Sequence, residues 1–249
     1  TLWGDALNSD GADSDEVRRF IFDNGLYWLL DFHFDGLRLD AIDTIIDMSP
    51  HPFPEAFCRE IHTKAEQAGH RVSLFAETSF NDARLLRPAH LGGYDMDAQW
   101  LDDFHHCLHT LLTGERNGYY EDFGSIDQMA KAFREGFVYS GQYSPHMRHT
   151  RGTSSLDIPP YKFVVFSQNH DHIGNRCCGE RLSSLVSFEA LKLAAGLVMR
   201  SPYIPLVFMG EEYAETAPFQ YFISHTEKDL IEAVQKGRRA EFVKFAWSK

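Results

Sequence analysis

The sequence has little positive charge and no long apolar run. Its 24 lysine and arginine residues stand against 36 aspartate and glutamate residues, which gives the 249-residue chain a formal net charge of −12. This balance argues against broad binding of a nucleic-acid backbone, which requires clustered positive charge. No apolar run reaches the roughly 20 residues that a membrane helix needs. The sequence therefore predicts neither nucleic acid nor a membrane as a partner.

Cysteine is scarce, and its spacing is not that of a metal or redox site. The four cysteines are Cys58, Cys107, Cys177 and Cys178; none forms a CxxC pair, and two adjacent cysteines have poor geometry for a disulfide. We predict free thiols in a reducing compartment, and hence a cytoplasmic protein. The phosphate-binding run GxxxxGK is also absent, and no cofactor is predicted.

What the sequence does contain is enough apolar residues for a sizeable core, since 43% are hydrophobic and 14% aromatic. Strand-like apolar runs alternate with amphipathic stretches. This pattern predicts strands at 36–41, 71–77, 94–100, 162–168 and 204–209, and helices at 13–28, 54–69, 104–112, 125–136, 188–200 and 226–236. Such an order predicts one α/β domain with parallel strands and crossover helices. About five strands are visible, so an open sheet and a barrel without its first strands are both compatible with the pattern.

Three of the predicted strands end in carboxylates: Asp40, Glu77 and Asp171. Ligands in parallel α/β folds gather at the carboxyl ends of strands, so we expect these side chains to converge. Alternation along the strand places Arg38 on the same face as Asp40, where its guanidinium favours an ionised nucleophile. Glu77 follows an apolar run, and partial desolvation raises the pKa of a carboxyl group, which suits a general acid. These are the two roles in retaining glycoside hydrolysis, although a single strand-end carboxylate is more often a helix cap or a surface ion pair.

The residues around these carboxylates resemble motifs of the α-amylase superfamily, glycoside hydrolase family 13. The run 35–41 (DGLRLDA) resembles its nucleophile motif, 76–77 its acid/base motif and 169–171 (NHD) its third carboxylate motif, in the family order. Within the superfamily, the sequence is most similar to the maltooligosyltrehalose trehalohydrolases, on the stretches 100–106, 112–115, 118–120, 168–176, 208–212 and 237–242. The resemblance implies a (β/α)8 TIM barrel of the α-amylase type, represented from about its fourth strand onward.

The resemblance also implies roles for individual residues. Asp40 corresponds to the nucleophile, Glu77 to the general acid/base and Asp171 to the carboxylate that stabilises the oxocarbenium-like transition state. Substrate-binding residues are implied at Arg38, Leu39, Ala41, Ile42, Asp43, Asp102, Asp103, Phe104, His105, His106, His170, His172, Ile173, Gly174 and Asn175. The implied reaction cleaves the α-1,4 bond next to the terminal trehalose of a maltooligosyl-trehalose and releases trehalose, without a metal. An α-amylase, a glucan branching enzyme and an inactive incomplete barrel are the alternatives.

The sequence departs from the family pattern at several points. Asp43 stands where a histidine is expected, and His172 stands where a glutamine is usual. The superfamily's earlier motif is missing, so we expect the chain to lack the first barrel strands, the N-terminal sandwich domain and the C-terminal β domain. His105 and His109 have the i, i+4 spacing of a metal pair, but no HExxH motif accompanies them. Aromatic residues at helix and strand spacing are mostly core residues. Candidates for sugar stacking are nevertheless Trp3, Trp28, Trp100, Tyr119, Tyr120 and Tyr143, and we favour the adjacent pair at 119–120.

Overall fold

The computed structural model describes residues 7–244, so Trp3 lies outside the described residues. The chain divides into two compact units. The first unit contains the residues up to 102 together with 139–142 and 151–164. The second contains 103–138, 143–150 and the residues from 165 onward. Among the described residues, no helix is both long and apolar enough to cross a membrane.

Five of the strands in residues 7–244 form one sheet. The strands, in chain order, are β1 (Gly36–Leu39), β2 (Ser73–Ala76), β3 (Ala98–Trp100), β4 (Gln142–Ser144), β5 (His149–Arg151), β6 (Phe163–Val165) and β7 (Ile204–Pro205). The main sheet has the order β1-β2-β3-β6-β7, with parallel pairing between β1 and β2, β2 and β3, and β3 and β6. The predicted strand count and parallel direction are therefore found in the main sheet. Strands β4 and β5, which lie in a stretch where no strand was predicted, form a separate two-stranded sheet.

The helices lie between these strands in the expected order. They are α1 (Ser14–Leu26), α2 (Phe53–Gln67), α3 (Asp102–Thr113), α4 (Ile126–Glu135), α5 (His170–Gly174), α6 (Leu182–Leu185), α7 (Phe188–Arg200) and α8 (Lys228–Lys244). At the start of α4, Ser125 and Gln128 form a capping box, in which each side chain bonds the other residue's backbone N–H. Asp13, where the first helix was predicted to begin, lies before α1; it has a φ of 60° and makes no side-chain cap bond.

Aromatic packing holds the helical layer of the first unit together. The rings of Phe22 in α1 and Phe53 and Phe57 in α2 lie 5.5–5.7 Å apart, at distances typical of favourable aromatic pairs. Gly25 permits this approach, because a Cβ atom there would lie 2.9 Å from the Phe57 ring. The buried faces of α2 and β2 supply the rest of this core through residues such as Ile61 and Leu74. The strands β1 and β2, which Asp40 and Glu77 directly follow, thus belong to a unit with a well-packed core.

Candidate active site

Arg38 lies between two of the predicted catalytic carboxylates. Its Nη1 donates to Asp40 Oδ1 at 2.7 Å, and its Nη2 is 3.5 Å from Glu77 Oε2. The guanidinium also lies over the indole of Trp100, with Cζ 4.3 Å from the ring centroid, within cation–π distance. The prediction that Arg38 and Asp40 share one face of the strand is confirmed. Trp100 therefore supports an arginine that contacts both carboxylates.

A tight turn after β1 connects the two carboxylates through the backbone. Strand β1 ends at Leu39, two residues earlier than predicted, because Ala41 adopts the left-handed conformation with φ 44° and ψ 47°. The Ala41 N–H donates to Glu77 Oε2 at 2.6 Å, and the Ile42 N–H donates to the Glu77 carbonyl at 3.0 Å. The Glu77 N–H in turn donates to the Leu39 carbonyl at 3.0 Å. Parallel pairing of β1 with β2 thus brings Asp40 and Glu77 to the same sheet edge.

The two carboxylates differ in their exposure. The Asp40 side chain is 76% exposed, whereas that of Glu77 is 20% exposed. The partial burial expected for a general acid is found at Glu77. However, the Ala41 N–H and the Arg38 guanidinium both stabilise the ionised form of this carboxylate. Protonation of Glu77 must compete with these two contacts, so its role as the acid stays a prediction.

The third predicted carboxylate, Asp171, lies in the first turn of α5 in the second unit. Asn169 caps this helix, because its side-chain oxygen accepts the His172 N–H at 3.0 Å. His170 Nε2 is 3.4 Å from Asp171 Oδ2, and both side chains are about half exposed. Asp171 therefore presents an accessible carboxylate. Its convergence with Asp40 and Glu77, which belong to the first unit, stays a prediction.

Six side chains of the second unit form a packed group that we call the histidine–tyrosine cluster: His105, His106, His109, Tyr119, Tyr120 and His172. The His105 ring stacks on that of His172 with 3.6 Å between centroids. Tyr119 stacks on His106 at 4.7 Å, and Tyr120 stacks on His109 at 4.4 Å. The predicted pair Tyr119 and Tyr120 thus packs against His106, a predicted substrate-binding residue, and His109, which had only the spacing of a metal pair. Except for Tyr119, which is partly exposed, the members are buried.

Three members of the cluster satisfy a distance test for metal ligands. One nitrogen each of His105, His106 and His172 lies within 4.8 Å of the others. His105, however, uses both ring nitrogens: Nδ1 lies 2.8 Å from the Ser167 carbonyl and Nε2 lies 2.9 Å from the Tyr120 hydroxyl. The carbonyl can only accept, so Nδ1 carries the proton and Nε2 accepts from Tyr120. A metal ion could bind His105 only by displacing one of these partners.

Burial keeps three histidines of the cluster, His105, His109 and His172, neutral. Desolvation, together with the neighbouring histidines, lowers the pKa of His105 well below its ordinary value. Burial, with His109 and His170 nearby, lowers the pKa of His172 to about 3. Burial also lowers the pKa of His109, although its contact with Glu115 opposes that effect. Around neutral pH the cluster therefore offers neutral imidazoles rather than positive charges.

An ion-paired carboxylate supports the cluster from one side. Arg176 contacts both oxygens of Glu115, at 2.8 and 2.9 Å, and His109 Nε2 lies 2.7 Å from Glu115 Oε2. Burial on its own would raise the pKa of Glu115, but the hydrogen bonds with Arg176 and His109 outweigh it and lower the pKa to about 2. Glu115 and Arg176 both belong to stretches quoted for the family resemblance. No role was predicted for Glu115 or Arg176, because their ion pair joins positions that lie 61 residues apart in the sequence.

Several predicted substrate-binding residues are buried in packing positions. Asp103 is fully buried and accepts the Val138 N–H at 2.8 Å, while Phe104 packs against the Phe133 ring at 5.3 Å. Other predicted contacts are also buried, namely Ile42, Ile173 and Gly174. Their direct contact with a sugar stays a prediction, whereas their packing role is evident.

Glu211 is a further polar residue to which the sequence analysis gave no role. Its carboxylate accepts a hydrogen bond from the Ser167 hydroxyl and another from the Phe208 N–H, the latter at 2.7 Å. Burial raises the pKa of Glu211 despite these bonds. Ser167 also supplies the carbonyl that contacts His105. The run 208–212 had signalled this residue only through the family resemblance.

Comparison with known proteins shows what this chain is similar to. The chain is 49% identical to the malto-oligosyltrehalose trehalohydrolase of Saccharolobus solfataricus over 241 residues, which are 97% of this chain and 42% of the relative. It is 44% identical to the enzyme of that name from Arthrobacter ramosus over 246 residues, 98% of this chain and 43% of the relative. The predicted family resemblance is confirmed. No family model matches the chain.

A solved structure supports the predicted fold. A crystal structure from Salmonella typhimurium, described as that of a candidate α-amylase, superposes with a TM-score of 0.84 at 40% identity. The match covers 93% of this chain and 40% of that one. The predicted α/β fold of the α-amylase type is confirmed. The chain spans about two fifths of the length of the curated relatives and of this structure.

Proposed function

We propose that the polypeptide containing this chain is a retaining glycoside hydrolase of maltooligosyl-trehalose. It cleaves the α-1,4 bond next to the terminal trehalose and releases trehalose together with a shortened maltooligosaccharide. The observation that carries the proposal is the pair of strand-end carboxylates, Asp40 and Glu77, contacted by one arginine. The 49% identity to a malto-oligosyltrehalose trehalohydrolase supports the choice of substrate.

In the proposed reaction, the Asp40 carboxylate attacks the anomeric carbon while Glu77 protonates the leaving glycosidic oxygen. The Glu77 carboxylate then takes a proton from a water molecule as the water oxygen attacks the anomeric carbon, and the bond between that carbon and the Asp40 carboxylate breaks. Retaining enzymes hold these two carboxyl groups roughly 5–5.5 Å apart, and we expect that separation in a sugar complex. The 76% exposure of Asp40 supports its role, since a nucleophile must be reachable.

Arg38 and Asp171 have supporting roles in this proposal. The guanidinium of Arg38 orients the Asp40 carboxylate through a charge-assisted hydrogen bond of 2.7 Å. Asp171 stabilises the positive charge that develops on the sugar ring, and His170 beside it contacts the sugar hydroxyls. The half-exposed side chains of His170 and Asp171 are compatible with such contacts.

The similarity to the Salmonella structure favours an α-amylase as the second candidate. The two functions share their carboxylates and differ in whether the substrate must carry a trehalose end. Incubation of the polypeptide with maltooligosyl-trehalose and, separately, with plain maltooligosaccharide distinguishes them by chromatography of the products. Trehalose released from the first substrate, with the second unchanged, supports the proposal. Equal shortening of both supports an α-amylase, and no turnover of either supports an incomplete barrel.

We further propose a cytoplasmic role in trehalose formation. In the described residues, all four cysteines are free thiols, as the prediction of a reducing compartment requires. Fractionation of cells with an antibody against the chain is the direct measurement. Recovery outside the cytoplasm would refute this part of the proposal.

A further inference from the structure

Arg238 of α8 contacts the end of the helix that carries Asp171. Its Nη1 donates to Asn175 Oδ1 at 2.6 Å, and its Nη2 donates to the Gly174 carbonyl at 3.2 Å. The same guanidinium lies over the Tyr221 ring, with Cζ 4.5 Å from the centroid. Arg238 is therefore fixed on one side by an aromatic ring and bonded on the other to two consecutive residues.

These two contacts act on a short helix with few bonds of its own. Helix α5 has five residues, and its last carbonyl groups lack partners within the helix. Asn169 holds its first turn, as described above. At the other end of α5, the Asn175 N–H donates to the Asp171 carbonyl at 2.9 Å. Arg238 contacts Asn175 and the preceding residue, Gly174. Arg238 thus restrains the end of α5 that Asn169 does not reach.

The contact also determines how the Asn175 amide is oriented. A guanidinium can only donate, so the Asn175 oxygen must face Arg238 and the Nδ2 hydrogens must point away from it. Asn175 is partly exposed. Its amide donor therefore has a direction that is set by Arg238 before any sugar hydroxyl arrives.

We propose that Arg238 is a positioning residue for the predicted sugar-binding segment 170–175, which it serves by orienting the Asn175 amide and fixing the end of α5. This inference rests on the proposed function and deepens it. The ligand is the maltooligosyl-trehalose of the reaction. Arg238 acts through Asn175 and does not itself take part in bond cleavage.

The test is a mutant cycle in the polypeptide that contains this chain, with maltooligosyl-trehalose as substrate. Arg238→Met is expected to raise KM about tenfold and to change kcat by no more than about twofold, since a charge-assisted contact is lost outside the reacting centre. Arg238→Lys should recover part of the loss, because an ammonium can still donate to Asn175 Oδ1. Lys236→Met is the matched control; Lys236 is exposed on the same helix and is not among the residues that line the cavity beside Arg238 and Gly174.

The cycle is completed by Asn175→Ala and the double variant. If Arg238 acts through Asn175, Arg238→Met should have little further effect on KM once the amide is gone. Additive effects, or equal KM values for the substitutions at 238 and 236, would overturn the inference. Hydrogen exchange at the amides of residues 172–176 gives a readout that does not depend on turnover. Faster exchange in Arg238→Met than in Lys236→Met is expected.

Failure of the proposed function is distinguishable from failure of this inference. A wild-type polypeptide that releases no trehalose refutes the function, and the exchange rates then decide the role of Arg238 in holding α5. Equal exchange in both variants refutes that role. Turnover by the wild type with unchanged KM in Arg238→Met refutes the inference alone.

Discussion

The carboxylate site of the first unit and the histidine–tyrosine cluster of the second unit are built in opposite ways. At the carboxylate site, Asp40 is 76% exposed and its charge is balanced by Arg38 at 2.7 Å. In the cluster, His105 is fully buried and neutral, and its ring is held by stacking and by two hydrogen bonds. We expect the exposed charge of Asp40 to serve reactivity and the buried neutral rings of the cluster to serve stability and position. Substitutions in the two regions should therefore separate loss of activity from loss of stability.

The largest expected effect is on turnover at the exposed site. Asp40→Asn removes the proposed nucleophile, so kcat should fall by about three orders of magnitude or more. The melting temperature should hardly change, because exposed ion pairs contribute little to stability. Trehalose release and thermal melting are measured on the same samples, with Asp23→Asn on α1 as an exposed control. Retained turnover in Asp40→Asn would contradict the role given to this residue.

At Glu115, which supports the histidine–tyrosine cluster, we expect a substitution to reduce stability. Its folded-state pKa of about 2 lies below the ordinary value of 4.5, so it stabilises the fold above pH 4.5, and this contribution is lost as the pH falls toward 2. Glu115→Gln should lower the free energy of unfolding by about 2 kcal/mol at pH 7. Urea unfolding at pH 7 and pH 3 measures the difference, with Glu121→Gln as the exposed control. An equal loss at both pH values would exclude this origin.

A smaller effect on activity is expected at Arg38. Arg38→Lys keeps the positive charge but cannot reach two carboxylates and stack on Trp100 with one planar group. We expect kcat/KM for maltooligosyl-trehalose to fall about tenfold, with unfolding unchanged. Steady-state kinetics measure the effect, and Arg19→Lys on α1 is the control. Equal rates for Arg38→Lys and the wild type would show that charge alone suffices.

The smallest expected effect concerns the pH dependence of stability. His172 has a folded-state pKa of about 3, below the ordinary value of 6.5, so its contribution is complete above pH 6.5 and declines as the pH falls. Between pH 7.5 and 5.5 this decline amounts to about 1 kcal/mol, and His172→Gln should remove it. Unfolding free energies across this range, with exposed His51→Gln as control, provide the measurement. An unchanged slope in His172→Gln would contradict a buried neutral imidazole.

The local pattern of apolar residues predicted which segments form strands and which form helices. It did not predict where those strands and helices end. The strand run before Asp40 is found, but β1 stops at Leu39 because the chain turns into the left-handed region at Ala41. The predicted strand at 204–209 shrinks to Ile204–Pro205, and the Leu206 N–H makes the last bond to the Val165 carbonyl. Helix α8 was expected to end before Gly237 and instead continues to Lys244. Tertiary contacts such as those of Arg238 are not encoded in the neighbouring residues.

The candidate site was predictable to the same extent. Strand-end position and motif together indicated Asp40 and Glu77, and pairing of β1 with β2 brings them to one edge. The histidine–tyrosine cluster was not predicted as a unit, since His105 and His172 stack across 67 positions of sequence. The pairing of Glu115 with Arg176 was missed for the same reason. Stacking between distant rings leaves no periodic signal in a single sequence.

The turn at Ala41 has a consequence for protein engineering. A non-glycine residue with a φ of 44° is strained by about 1 kcal/mol relative to glycine. The Ala41 N–H nevertheless donates to the Glu77 carboxylate, and Ala41 directly follows Asp40. The backbone conformation of this one residue therefore affects the positions of both carboxylates. Ala41→Gly would relax this conformation and also make the turn more flexible. Selection for thermal tolerance and selection for catalytic rate should therefore favour different residues at position 41.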